Sequence, residues 1–159
     1  MNFKVLGALG AIALLAACSH NAPVQSGATT GTGETAPAAA ALTPEEDLVR
    51  NVGDRVFYEL NSSTLSDTAQ STLTKQAAWL AKYPNVTIQV AGNCDDRGTE
   101  EYNLALGNRR AKAAQDFLVA KGVSASRITT ISYGKDRPTA LGDNEEAWSQ
   151  NRNAITSVK

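Results

Sequence analysis

The chain has 159 residues and carries 15 basic against 16 acidic side chains, a formal net charge of -1. That balance excludes a strongly basic nucleic-acid binder and a polyacidic tail protein. The only histidine is His20, in a stretch with no large apolar residues. A Ser-His-Asp or Cys-His catalytic arrangement, or a zinc cluster, is therefore not available further along the chain.

In chain order, "MNFKVLGALGAIALLAACSH" has one Lys, a short apolar run and small residues leading to Cys18. This is the layout of a secretory signal peptide, too short for an ordinary membrane span, so residues 1–17 are expected to be removed. Loss of Lys4 would bring the net charge to about -2. Leu15-Ala16-Ala17-Cys18 resembles the lipobox of bacterial lipoproteins. The resemblance implies lipid on Cys18, with acyl chains that together give stable anchoring. Ser19 follows in place of Asp, which points to the outer membrane. Residues 18–43, mostly Ala, Thr, Gly, Ser and Pro, read as a flexible tether with a mean reach of roughly 30 Å. In an exported protein with Cys18 lipidated, Cys94 has no partner; it is either a small buried residue or a reactive thiol.

Residues 44–159 are long enough for one modest core. "DRVFYEL" predicts a strand with Val56, Tyr58 and Leu60 on one side. "SDTAQSTLTKQAAWLAKYP" predicts a helix capped by Ser66 and stopped by Pro84, with Ala69, Leu73, Ala77 and Leu80 on its buried face. "VTIQVAG" alternates as a half-buried strand. Thr99 caps the next helix, Glu100 and Glu101 suit its positive end, and Gly122 ends it. "RITTISYG" and "NAITSV" are the third and fourth strands, with a short helix in "DNEEAWSQN". The fold expected is an α/β (α+β) sandwich, a mixed four-stranded sheet with helices on one face in the order βαβαβ(α)β.

At 100° per residue, Arg110 falls in the same stripe as Asn103, Leu106, Ala114 and Phe117, whereas Arg109 points sideways. A guanidinium in that stripe requires a carboxylate, and the nearest source is the turn holding Asp95 and Asp96, with Gly98 to let it bend. Two arrangements satisfy the pattern. Asp95 and Arg110 form an internal ion pair, or they stand apart and hold a zwitterion between them, ammonium on Asp and carboxylate on Arg.

"GNCDDRGTEEYNLALGNRRA", with "VFYELNSSTL", "ISYGKDRP" and "WSQNRNA", resembles the OmpA-like domain family, and within it the lipoproteins of the Tol-Pal system. The likeness spans nearly the whole globular part. It implies that Asp95 and Arg110 grip the free amino-acid end of meso-diaminopimelate in the peptidoglycan stem peptide. It further implies Leu60, Asn61, Asn93 and Leu106 around that ligand, with Asn103 and Gly98 bracing the turn. Implied partners are peptidoglycan, the periplasmic propeller protein TolB with other Tol-Pal components, and the outer membrane through Cys18. The domain would face the periplasm. No cofactor, metal or nucleic acid is implied. Five positions depart from the family pattern: Asn61 for Asp, Asn93 for His, Cys94 for a small residue, Asp96 for Glu and Asn153 for a second Arg. Losing the charge at position 61 is expected to cost about 1.5–3 kcal/mol of ligand binding. Two other readings remain from the residues themselves. One is a cell-wall glycosidase using carboxylates among Asp95, Asp96, Glu100 and Glu101. The other is a scaffold docking through Trp79, Tyr83 and Trp148.

Overall fold

The structure, a computed structural model, describes residues 41–159. The signal peptide, the lipidation site at Cys18 and all but the last residues of the tether lie outside that span.

The described chain opens with an element the periodicity did not reveal. Helix α1 (Pro44–Asp47) starts at a capping box in which Thr43 and Glu46 satisfy each other's backbone N–H groups, and a π-helical turn at Leu48–Val52 continues it. Leu48 plugs the core with no exposed surface. Asp47 accepts hydrogen bonds from Trp79 Nε1 at 3.2 Å and Tyr83 Oη at 3.1 Å, fastening this segment to the next helix.

Strand β1 (Arg55–Phe57) is shorter than "DRVFYEL" predicts. Val56 and Tyr58 are buried as expected, but Leu60 is 49% exposed. The chain leaves the sheet after Phe57 and turns at Asn61, whose φ of 55° breaks the alternation before it reaches Leu60. Helix α2 (Asp67–Lys82) is capped by Ser66 and buries Ala69, Leu73, Ala77 and Leu80. It also buries Gln76, which donates to the Gly53 carbonyl and accepts from Thr156. A buried amide satisfied at both ends does not carry the usual desolvation penalty.

Strand β2 (Ile88–Asn93), helix α3 (Glu100–Ala120) and strand β3 (Ile128–Gly134) form a unit in which β2 and β3 are parallel. Helix α4 (Glu145–Asn151) follows, capped by Asn144, and β4 (Asn153–Val158) inserts antiparallel between β1 and β2. The sheet order is β1-β4-β2-β3, the mixed four-stranded sheet expected. Helices α2 and α3 lie side by side against it, enclosing Leu73, Leu80, Ile88, Val90, Ala111, Ala114 and Leu118. Helix and sheet come closest where Gly92 of β2 meets Gly107 of α3; a Cβ on Gly92 would lie 1.9 Å from the Gly107 carbonyl oxygen. This contact sets how near α3 sits to the end of β2, where the candidate site is built.

Candidate functional site

Three segments converge at the carboxyl end of β2: the loop after β1, the turn from Cys94 to Thr99, and Arg152 between α4 and β4. The turn is held from inside. Asn103, buried one turn into α3, donates from Nδ2 to the carbonyls of Arg97 at 2.8 Å and Thr99 at 3.1 Å. Gly98 takes a φ of 87°, a conformation that side chains oppose. Lys135 reaches across from β3 to donate to the Gly98 carbonyl at 2.8 Å.

Arg110 lies in the buried stripe and has no exposed surface, while Arg109 is exposed. The carboxylate that its burial was expected to require is not what it meets. Its Nε donates to the Ser62 carbonyl at 2.9 Å, Nη1 to Asn93 at 2.8 Å and Nη2 to Glu59 at 3.1 Å. Carbonyl dipoles from the loop after β1 and the end of β2 do the work assigned to an anion, and the flat guanidinium suits three divergent acceptors. Among the described residues no carboxylate lies within ion-pair distance of Arg110. Burial accordingly presses its pKa down, partly opposed by Cys94, Tyr58 and Asp95, though an arginine stays charged. The same burial raises the pKa of Tyr58, whose ring lies 5.3 Å from the guanidinium and whose hydroxyl donates to the Arg110 carbonyl.

The internal Asp95–Arg110 pair is therefore not formed. Asp95, 5% exposed, accepts instead from Arg97 Nη2 at 2.5 Å and Arg152 Nη1 at 3.4 Å. Arg152 is itself buried, donating also to the Tyr58 carbonyl at 3.1 Å and to Glu145 at 2.6 Å. Burial acts to raise the Asp95 pKa, but the hydrogen bonds and charge of the two arginines prevail and leave it below the usual carboxylate value. Sequence reasoning missed Arg97 and Arg152 as partners of Asp95, and Glu145 as the partner of Arg152. Arg152 and Glu145 come from the far end of the chain and give no local signal.

The remaining candidates divide by exposure. Leu60 and Asn61 face outward, and Tyr102 of α3 donates from its hydroxyl to Asn61 Oδ1 at 3.2 Å. Leu106 is buried beneath. Asn93 is also buried, and its Nδ2 donates to Asn153 Oδ1 at 2.7 Å. Asn153 in turn donates to Thr139 and to the Gln150 carbonyl. Two positions that depart separately from the family pattern are thus partners, an amide pair bridging β2 and β4. A surface concavity of about 550 Å³ along Asn108, Arg109, Lys112 and Asp116 contains none of these residues.

The OmpA family profile matches residues 57–152, from the end of β1 through Arg152. The chain belongs to the OmpA family. This family chain is 47% identical over 156 residues to a peptidoglycan-associated lipoprotein of Mesorhizobium japonicum, covering 97% of the chain and 90% of that relative. A peptidoglycan-associated lipoprotein of Rhizobium meliloti is 53% identical over 120 residues, 74% of the chain and 68% of the relative. Among solved structures, the peptidoglycan-associated lipoprotein from Burkholderia pseudomallei superposes with a TM-score of 0.65 at 39% identity, over 67% of this chain and 90% of that one. The C-terminal domain of Helicobacter pylori MotB, at 24% identity over 67% of this chain and 84% of that one, has a TM-score of 0.63 and shows the fold alone.

Within this OmpA-family domain the open alternatives resolve physically. Cys94 is 3% exposed and its thiol points at the Asn103 carbonyl at 3.4 Å. Burial raises its pKa against the opposing charge of Arg110, so it is the small buried residue and not a reactive thiolate. Of the carboxylates a glycosidase would draw on, Asp95 is engaged by Arg97 and Arg152, and Asp96, Glu100 and Glu101 are exposed, the two glutamates in the first turn of α3. Trp79 is buried and packs with Tyr83 on Asp47, while Trp148 lies under Arg97, so these aromatics are engaged in internal packing.

Proposed function

We propose that this chain is a non-catalytic outer-membrane lipoprotein whose domain clasps peptidoglycan. In this reading residues 1–17 are removed, Cys18 carries lipid, residues 18–43 are the tether, and residues 44–159 face the periplasm and hold the wall. The observation that carries the reading is Arg110. A wholly buried guanidinium with no carboxylate partner among the described residues is expensive to keep, and three neutral carbonyls solvate it without cancelling its charge. An arginine has five N–H donors, and three bonds leave two of them free for an anionic ligand group.

Asp95 supplies the complementary charge on the same end of β2. A zwitterionic amino-acid head, such as the free end of meso-diaminopimelate in the stem peptide, matches an acceptor carboxylate and a guanidinium held apart. Leu60 and Asn61 would border the ligand from outside, while Leu106 and Asn93 support the floor. The names borne by the relatives agree with a wall-binding lipoprotein. Membership of the Tol-Pal system, contact with TolB and a part in envelope integrity and division complete the proposal.

The test is cosedimentation of residues 42–159 with purified diaminopimelate-type sacculi, beside Asp95→Asn and Arg110→Lys variants shown to be folded by circular dichroism. The parent is expected to pellet and both variants to stay largely in solution. A parent that stays in solution sinks the proposal; a folded Arg110→Lys that pellets equally removes Arg110 from the clasp.

A further inference from the structure

Asp95 is not free to receive an ammonium, because two arginines already hold it, and they hold it very differently. Arg152 is fixed: its side chain is 6% exposed and each guanidinium nitrogen has a partner, in the Tyr58 carbonyl, Asp95 and Glu145. Arg97 is loose. Its side chain is 35% exposed, its buried Nε has no hydrogen-bond partner among the described residues, and beyond Asp95 it rests, among those residues, on the Trp148 ring at 4.1 Å and near Glu145 at 3.8 Å. A carboxylate with one permanent cation and one poorly satisfied, solvent-reaching cation has a removable cap.

Resting on the reading that Asp95 receives a ligand's ammonium, we propose that Arg97 is a built-in competitor for that carboxylate, an internal stand-in that must swing off Trp148 before the ligand can bind. Arg152 stays behind and keeps Asp95 charged and oriented, so the site opens without leaving a bare buried carboxylate. Glu145, 65% exposed on the rim and already 3.8 Å from Arg97, can keep the displaced guanidinium paired in water. The device favours ligands that present both charges: an ammonium alone exchanges one cation for another, whereas a zwitterion also gains Arg110. Apparent affinity is multiplied by the fraction of molecules with Arg97 displaced.

The test uses the full chain purified in detergent and, as probe, the soluble tetrapeptide L-Ala-γ-D-Glu-meso-diaminopimelate-D-Ala, followed by calorimetry and by tryptophan emission. Arg97→Gln is expected to bind at least about threefold tighter, and about tenfold if Asp95 is open a tenth of the time. Peptide should change tryptophan emission in the parent, as the guanidinium leaves the Trp148 ring, and not in Arg97→Gln. Arg109→Gln removes an equal charge from the exposed face of α3 and should bind as the parent does. Weaker or unchanged binding by Arg97→Gln, with the parent binding normally, overturns the competitor and leaves the clasp intact; the same holds if Arg109→Gln tightens binding as much. If the parent fails and Arg97→Gln binds, the competitor is supported in its strongest form. If neither binds, the clasp falls and the competitor with it.

Discussion

The separation between α3 and β2 is the dimension on which the site depends, and Gly92→Ala perturbs it most directly. A Cβ at position 92 would lie 1.9 Å from the Gly107 carbonyl oxygen and 2.7 Å from its carbon, with backbone on both sides and no side chain able to rotate away. Ordinary contact begins near 3.4 Å, so helix and strand must part locally by about 1.5 Å. Overpacking of this kind costs about 1–3 kcal/mol. The neighbouring bond from Arg110 Nη1 to the Asn93 carbonyl, 2.8 Å long, would stretch out of range and cost about 1.5–3 kcal/mol more. The expected total, about 2.5–6 kcal/mol, is a large share of the stability of a domain this size. Gly107→Ala is milder. Its Cβ meets the rotatable Ser132 Oγ at 2.2 Å and the Gly92 oxygen at 2.8 Å, and the gain of about 1 kcal/mol in helix propensity offsets part of the strain. A net loss of about 1–2 kcal/mol is expected, partly rescued by Ser132→Ala in a double-mutant cycle. Urea unfolding followed by far-ultraviolet circular dichroism measures the parent, Gly92→Ala and the three variants of the cycle. A Gly92→Ala cost below about 1 kcal/mol, or below that of Gly107→Ala, would refute the close-approach argument.

Asn61 is exposed, so solvent screens the charge it lacks and the effect expected from sequence shrinks: Asn61→Asp should tighten stem-peptide binding by about three- to tenfold by calorimetry, and no change would remove position 61 from the site. The Asp95 pKa is lowered in the folded state, so its contribution to stability is complete above its ordinary value of 3.8 and is lost as pH falls through the lower folded value. Urea midpoints of the parent and Asp95→Asn should therefore differ by a constant amount from pH 5 to 7 and converge only in acid below about pH 4; convergence near neutrality would contradict the ion pairs. Cys94, in protein lacking Cys18, should resist a disulfide-exchange reagent until urea unfolds the domain, and rapid labelling of the native protein would contradict its burial.

What the sequence determined by itself is what depends on residues a few positions apart. The caps at Ser66 and Thr99, the apolar faces of α2 and α3, and the placement of Arg110 on the buried side of its helix all follow from local geometry. The helix α1 that follows the capping box of Thr43 and Glu46 was not among the predicted elements, although that local pattern is of the same kind. Tertiary structure alone decided who meets whom. Arg110 takes its acceptors from residues 48 and 51 positions away, Asp95 meets Arg152 across 57, and Asn93 meets Asn153 across 60. No periodicity encodes such partners, because they follow from β4 inserting between β1 and β2 and from two glycines letting a helix rest on a strand. The rule that a buried charge must be compensated held; that carbonyls would do it for Arg110, and arginines for Asp95, was decided by which chain ends the sheet brought together.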